Sequence, residues 1–423
     1  FVSEITWEKR FTRSNNARLF ANVTDKIILY RKSPCLQALR QERTEKTDSI
    51  YENPDNDTRG SWTSVSYVNP ATKDQRPNLS YTIKNPFTGE DVEHPTNAWK
   101  YEKEVYERHA EENRLYWGKD GSNKYPRLKR FLSELEEGIV PIDLWKREEA
   151  GTTDEASKNL SRLLGGKYFD FPKPVKLIER MLSIATTRSD NDMVLDFFAG
   201  SAPLSHAVMQ KNAQDGGNRK WICVQIPEEV DENSEAAKAG YNTIADIARE
   251  RIRRAGDKIK EDVESGGSKV DLQNPDTDPN DEFKNVQVPD IGFKSFELQE
   301  SNYREWHELT EEDDEETLKE QMKLFAEKPL VDDYDEESIV YEVLVKEGFA
   351  LNSEVKQERL GDLDVWIVSN NERRLVVSFA KQLSKEQVES LDLGENDTFV
   401  CFDHALDDET KVNITRDLNV KVI

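Results

Sequence analysis

The run Val194-Leu195-Asp196-Phe197-Phe198-Ala199-Gly200-Ser201 sets an acid, two aromatic rings and a Gly-Ser pair directly after a short apolar stretch. The apolar residues read as a buried strand and Ala202 to Asn212 as the helix that follows. Strand, tight turn and helix is how an α/β sheet presents a cofactor at the carboxyl end of a strand. Gly200 lets backbone approach a ligand with no Cβ in the way. A second strand, Trp221-Ile222-Cys223-Val224-Gln225, ends in Pro227-Glu228, which puts a carboxylate where such folds bond ribose hydroxyls. Asp196 would repel a pyrophosphate, so the turn suits S-adenosylmethionine, a cationic cofactor without phosphate, better than NAD or ATP. Taken alone, D-x-F-x-G-S is equally compatible with an ordinary buried strand–helix–strand unit.

The flanking residues carry more information. Phe169-Asp170-Phe171-Pro172-Lys173-Pro174-Val175 precedes the strand, and Asn212-Ala213-Gln214-Asp215-Gly216-Gly217-Asn218-Arg219 follows the helix. Together F-D-F-P-K-P-V, V-L-D-F-F-A-G-S and D-G-G-N-R-K-W-I-C-V-Q-I-P-E resemble the methyltransferase (Mod) subunits of type III restriction-modification systems. Those are DNA adenine-N6 methyltransferases of the permuted class, in which the catalytic motif precedes the cofactor motif. Phe1 to Lys32 is similar to the paired strands that follow the catalytic motif in that family. Tyr51 to Trp62 and Tyr81 to Trp99 resemble its target-recognition region. Gly292-Phe293, Ser301 to Trp306 and the C-terminal module resemble segments beyond the cofactor domain.

The resemblance implies an α/β protein with a Rossmann-like, S-adenosylmethionine-dependent methyltransferase fold in permuted motif order, bearing an inserted target-recognition region and a smaller C-terminal α/β module. It implies that Asp196, Phe198, Gly200 and Ser201 line the methionine side of the cofactor pocket, that Glu228 accepts from the ribose hydroxyls, and that Phe171, Lys173 and Pro174 close the pocket from the other side. The implied substrate is duplex DNA, with the adenine flipped from the stack. The implied partners are a second methyltransferase subunit and the helicase-nuclease restriction subunit.

Two departures stand out. The family's turn usually reads F-x-G-S-G-T-T, whereas Gly200-Ser201 is followed here by Ala202-Pro203-Leu204. Pro203 in the first helical turn removes only an N–H that would have been an orphan, but Ala202 is expected to bring a Cβ close to the methionine moiety. No D-P-P-Y or N-P-P-Y string occurs in the chain; in the family that motif positions the target amine. The chain therefore reads as the C-terminal part of a longer or interrupted subunit, with no catalytic residue of its own. Two alternatives stay open: a non-catalytic remnant that still binds cofactor or DNA, and an RNA or small-molecule methyltransferase with an unrelated insertion.

These motifs divide the chain into methyltransferase strands (1–34), a target-recognition insertion (35–150), the cofactor-binding core (151–260), a linker with an acidic helix (261–335) and the C-terminal α/β module (336–423). Alternation at Ile5 and Trp7 predicts a strand, as does Ile27 to Tyr30, with a polar loop carrying Arg10, Arg13 and Arg18 between them. Residues 35–123 show no sustained period and read as irregular, apart from a helix over Trp99 to Asn113; Lys124 to Glu137 reads as a further short helix. Helices are expected over 155–165, Pro174 to Ile184 and Tyr241 to Lys260, the last with Arg249, Arg251, Arg253 and Arg254 on what reads as a solvated face or a basic patch. The run Glu311 to Glu316 is expected to open a solvated helix. The C-terminal module is expected as helix 338–348, strands near 364–369 and 374–379, helix 384–391, strand 398–402, helix 408–416 and strand 418–423.

For DNA, Asn53, Asn56, Arg59 and Trp62, with Asp55 and Asp57 among them, form a dense set of base-edge donors, acceptors and a ring. An Asx-rich turn bonding its own backbone is the structural alternative. Arg10, Arg13 and Arg18 suit phosphate contacts. The net charge of −25 argues against a nucleic-acid binder until its distribution is read: residues 1–150 carry 25 basic and 25 acidic side chains, so the excess lies beyond them. Three well-separated cysteines and five unpaired histidines predict a cytosolic chain with no structural metal. No apolar run approaches the ~20 residues of a membrane span.

Overall fold

The computed structural model describes residues 1–12, 19–136, 138–265, 288–306, 314–370, 372–416 and 418–423. It divides into two compact units, Phe1–Gly292 and Phe293–Ile423.

The first unit opens with antiparallel strands Ser3–Glu8 and Thr24–Leu29, and the short strand Leu144–Trp145 pairs parallel with the first. The predicted alternation is observed. Ile5 and Trp7 point inward with Trp145, Ala150 and Leu177, and the Trp7 indole donates to the Gly151 carbonyl at 3.0 Å. Both ends of the insertion are thereby fastened to the same core.

Within the insertion, three expectations are corrected. Residues 35–123 contain regular sheet: strand Trp62–Ser66 pairs with Arg127–Phe131, which pairs in turn with Leu115–Tyr116, and Val68–Thr72 pairs with Asn97–Trp99. The helix begins later than expected, over Lys103–Glu111, because Asn97–Trp99 is drawn into that second pairing. The described residues 124–136 form no α-helix; they hold the strand Arg127–Phe131 and a single 3-10 turn, Leu132–Glu134, and Glu137 lies outside the described residues. Helix propensity there is good, but the partner strand and the burial of Leu128 and Phe131 override it. Tyr67, Ile83, Trp99, Leu115 and Trp117 fill the small core.

The helices of residues 151–265 start and stop where local chemistry dictates. Thr152 and Glu155 form a capping box for Thr153–Leu164, which Gly165 ends at φ +81°. Thr243 and Asp246 do the same for the long helix Ile244–Glu264. Helices Val175–Ala185 and Pro203–Asp215 pack against one face of a parallel strand pair, Met193–Asp196 and Lys220–Cys223, burying Val175, Leu182, Leu204, Ala207 and Val208 against Val194, Trp221 and Cys223. The opposite face of that pair is bare. Met193 is 58% exposed, Leu195 55%, Ile222 47% and Val224 49%. Parallel strands are ordinarily covered on both faces.

The second unit is a five-stranded sheet in sequence order: Glu354–Leu360, Leu363–Ser369, Arg374–Val377, Thr398–Cys401 and Asn419–Val422. Its first three strands are antiparallel and the last two join in parallel. Helices Glu336–Lys346, Lys385–Glu389 and Asp408–Thr415 follow the expected order, and Ile339, Val340, Leu344, Val365, Leu375 and Phe399 lie at the centre of its core. The edge strand Glu354–Leu360 was not expected. Of the acidic run, residues 311–313 lie outside the described residues, while Asp314 caps the helix Glu315–Glu327 by accepting from the Thr317 amide. Among the described residues no helix is long and apolar enough to cross a membrane.

The insertion depends on a buried cation. Lys129 is 2% exposed and pairs with both Asp55 and Asp57. Removing one member of a buried ion pair leaves its partner uncompensated, at a cost of about 3–5 kcal/mol. Lys129→Ala is therefore expected to lower stability by roughly 3 kcal/mol in urea titration; a loss below about 1 kcal/mol, the range of a surface pair, would show that the pair is not structural.

Candidate functional site

The turn after the strand Met193–Asp196 is held by backbone bonds on both sides. The Val224 amide donates to the Asp196 carbonyl at 2.8 Å, the Ala199 amide to the Val224 carbonyl at 3.1 Å, and the Gly200 amide to the Gln225 side-chain oxygen at 2.7 Å. Asp196 Oδ1 accepts from the Phe198 amide at 3.1 Å. Gly200 sits at φ +53°, where L side chains are strained, and a Cβ there would lie 3.3 Å from the Phe169 ring. Two sequence motifs about thirty residues apart thus meet at a glycine.

Ala202 is fully buried with Met209, Ala213, Ile252 and Ala255. It adopts φ +54° and ψ 52°, the left-handed conformation that favours glycine, as N-cap of Pro203–Asp215. Alanine at this position therefore bears on backbone conformation.

Around the turn, Phe198 is 79% exposed, and its ring lies 5.2 Å from that of Phe197. Ser201 is buried. Phe171, at φ +55°, is exposed, while Pro174 is buried and begins Val175–Ala185. Lys173 extends over the Trp7 ring at 5.9 Å. Glu228 follows the second strand with its carboxylate in solvent, and its backbone carbonyl accepts from Ile244 at 2.9 Å. Asp196, Gly200 and Glu228 consequently border one region at the carboxyl ends of two adjacent parallel strands.

Two contributors were not anticipated: Gln225 and Arg251. Of the four arginines on the long helix, Arg249, Arg253 and Arg254 pair along the helix with Asp246, Glu250 and Asp257, as a solvated face should. Arg251 does not; it is buried, with NH1 donating to the Ser201 carbonyl at 3.2 Å and hydroxyl at 2.9 Å. Its spacing of four from Ile247 and Ala255 is the signal that places it on the apolar stripe. His206 faces the core, and no group able to hold a metal occurs among the described residues.

The second candidate region, residues 53–62, is turned in on itself. The Asn53 side chain accepts from the Asp57 amide at 2.8 Å and donates to its carbonyl at 3.0 Å. Arg59 holds Asp57 through two nitrogens, at 2.9 and 2.7 Å, and lies 4.1 Å above the Phe131 ring. Trp62 is 5% exposed and donates to Asp55 at 2.8 Å. The cations around it hold the Asp57 carboxyl well below the usual carboxylate range. Asn56, at φ +51°, is exposed. Arg10 is half-buried, with an Nε that has no partner. Arg13 and Arg18 lie outside the described residues.

Burial, with a smaller contribution from Arg251, pushes His206 down from 6.5 to about 3. The unfolded chain takes up that proton as pH falls through 6.5 and the folded chain does not until about 3, so the neutral buried ring costs stability progressively across this window. His206→Gln is expected to flatten the fall in melting temperature between pH 7.5 and 5.5. An unchanged slope in the variant would show that His206 does not account for it.

A family model described as DNA methylase, N6_N4_Mtase, matches residues 1–236. The chain is 31% identical over 267 residues to the Mod subunit of the type III restriction-modification enzyme StyLTI of Salmonella typhimurium, which covers 62% of this chain and 38% of that protein. Against the EcoPI Mod subunit of Escherichia phage P1 the identity is 38% over 135 residues, 32% of this chain and 20% of that one. Against the type II methyltransferase M.KpnI of Klebsiella pneumoniae it is 28% over 201 residues, 46% of this chain and 44% of that one. The chain spans less than half the length of each of these relatives. With more than half of its residues matched, from the opening strands through the cofactor turn and past Glu228, the chain belongs to the N6_N4_Mtase family of DNA methylases.

Proposed function

We propose that this chain supplies the cofactor-binding and DNA-recognition parts of an adenine-N6 DNA methyltransferase of the type III restriction-modification kind, and that the residues orienting the target amine come from outside it. The observation that carries the reading is the convergence of the Phe169–Pro174 segment, the glycine turn and the solvent-facing Glu228 carboxylate at the ends of two parallel strands. The residues fit S-adenosylmethionine. Glu228 has both oxygens available for ribose hydroxyls, Asp196 offers negative charge on the side of a sulfonium, Gly200 lets Phe169 close on the turn, and Phe171, Lys173 and Pro174 follow Phe169 in the same segment.

When bound, that cofactor supplies an electrophilic methyl group. What the chain contributes is position. Losing one hydrogen-bonding partner at such a site costs roughly 1–3 kcal/mol, whereas aligning the acceptor amine with the methyl carbon accounts for up to about 7–11 kcal/mol of barrier. No D-P-P-Y or N-P-P-Y string is present to do the second task. The bare face of the Met193–Asp196 and Lys220–Cys223 pair supports the same reading, since apolar residues there lack the cover a parallel sheet ordinarily has. Duplex DNA would meet Arg10, Arg13 and Arg18 through phosphates and the exposed Asn56 beside the ordered Asn53, Arg59 and Trp62 framework. A second methyltransferase subunit and a helicase-nuclease subunit are the partners this reading requires.

Calorimetry on the full chain is expected to show S-adenosylmethionine binding that Asp196→Ala and Glu228→Ala each weaken about 5- to 100-fold, the equivalent of one lost partner, while tritiated-methyl transfer to mixed-sequence DNA stays at background. Equal affinity in both variants removes the cofactor assignment; sequence-specific transfer by the chain alone removes the claim that the amine is oriented from outside.

Photocrosslinking to duplex DNA is expected to label peptides before residue 150, where charge is balanced, and to spare the acidic region beyond 330. Label concentrated after 330 would reverse these roles, and preferential crosslinking to RNA would favour an RNA methyltransferase.

A further inference from the structure

Behind the cofactor turn lies a cavity lined by Asn159, Leu160, Lys173, Val175, His206 and Arg251, among others. Two polar atoms in its wall are buried and have no hydrogen-bond partner: Nδ1 of His206, a residue 6% exposed, and Nε of Arg251, a residue 4% exposed. Arg251 is anomalous among the buried basic side chains. Lys129 has Asp55 and Asp57, and Arg219 has Asp215. Arg251 has only the carbonyl and hydroxyl of Ser201, and no carboxylate among the described residues pairs with it. Burial pushes it down from 12.5 to about 9, so at neutral pH the guanidinium is still charged, while the imidazole beside it is neutral. The cavity wall is therefore net positive through Arg251; Lys173, also in the lining, is exposed and carries its ammonium over the Trp7 ring.

A buried guanidinium without a counter-charge is strongly disfavoured, and a neutral imidazole is free to donate from Nδ1. A water molecule would satisfy the hydrogen bonds but leave the charge. From this geometry we infer that the cavity binds one small monovalent anion, held between the Nε–H of Arg251 and the Nδ1–H of His206. The space accommodates a single group about the size of a water molecule, which selects a halide or the end of a carboxylate over sulfate or phosphate. The anion has two chemically equivalent sources: a free ion from solution, or a carboxylate carried by the cofactor. In either case it fixes the guanidinium that holds Ser201, and through Ser201 it steadies the left-handed turn at Gly200 and Ala202. The second source rests on the cofactor assignment; the first does not.

The test uses the full chain at constant ionic strength, with chloride exchanged for a sulfonate too bulky for the cavity. Raising chloride a hundredfold through the binding range is expected to raise the melting temperature by roughly 5 °C. Arg251→Met is expected to abolish the dependence, and Arg251→Lys to keep part of it. Should Arg251→Met fail to fold, anomalous diffraction from bromide-soaked wild-type crystals provides the same answer, as a peak within hydrogen-bonding distance of Arg251 Nε. S-adenosylhomocysteine and 5′-methylthioadenosine, which lacks the carboxylate, separate the sources. If the ligand carboxylate occupies the site, chloride weakens the first and not the second; if a free ion does, chloride weakens neither. A chloride-dependent melting temperature without binding of either nucleoside supports the anion site while removing the cofactor assignment. A melting temperature indifferent to chloride, with no bromide peak, means an ordered water only and overturns the inference, whether or not the nucleosides bind.

Discussion

Left-handed backbone at Gly200 and Ala202 is the constraint around which the residues between Phe169 and Arg251 are arranged. A chain leaving a parallel strand and entering a helix within a few residues must reverse direction sharply, and here it does so through two residues of positive φ. The first has no side chain, which lets the Phe169 ring close on it. The second has one, which is buried in the helix core. Strain of this kind persists only where neighbours over-determine it. The neighbours are visible: Gln225 takes the Gly200 amide, Arg251 takes Ser201 from behind, and the Ala202 amide donates to the Ala199 carbonyl at 2.7 Å. Elements from four places in the sequence are committed to one turn.

The parallel pair that carries the turn is finished on one side only. Its helix-facing residues Val194, Trp221 and Cys223 pack against Val175, Leu182, Leu204, Ala207 and Val208, while the alternate residues on each strand project as an apolar surface. The two faces therefore differ in what covers them, although the strand alternation that builds them is the same.

The insertion solves a different problem. Polar residues crowded into one loop compete for one another. Asn53, Asp55, Asp57, Arg59 and Lys129 form an ion-pair and hydrogen-bond network with Trp62 beneath it. The network uses up much of the hydrogen-bonding capacity that looked available for bases. What it leaves is a stiff platform carrying a few exposed groups, Asn56 among them.

Much of the local architecture was legible in the sequence because its causes are local. The alternation of Ile5 and Trp7, the glycine turn and the order of the C-terminal module all depend on residues within a few positions of one another. The misses share a cause as well. Strand Glu354–Leu360 is a charged edge strand with little alternation to read, as edges often are, and Arg127–Phe131 became a strand only because Trp62–Ser66 lay beside it. By itself the sequence determined which motifs are present and what cofactor chemistry they suit. Only the tertiary structure decided that Phe169 closes on Gly200, that Ala202 is buried among the helices, that Trp62 is a support, and that one arginine of four lies under the turn with no carboxylate beside it. Each of those outcomes depends on contacts between residues distant in the chain, where burial and partner supply, not residue type, set the energy.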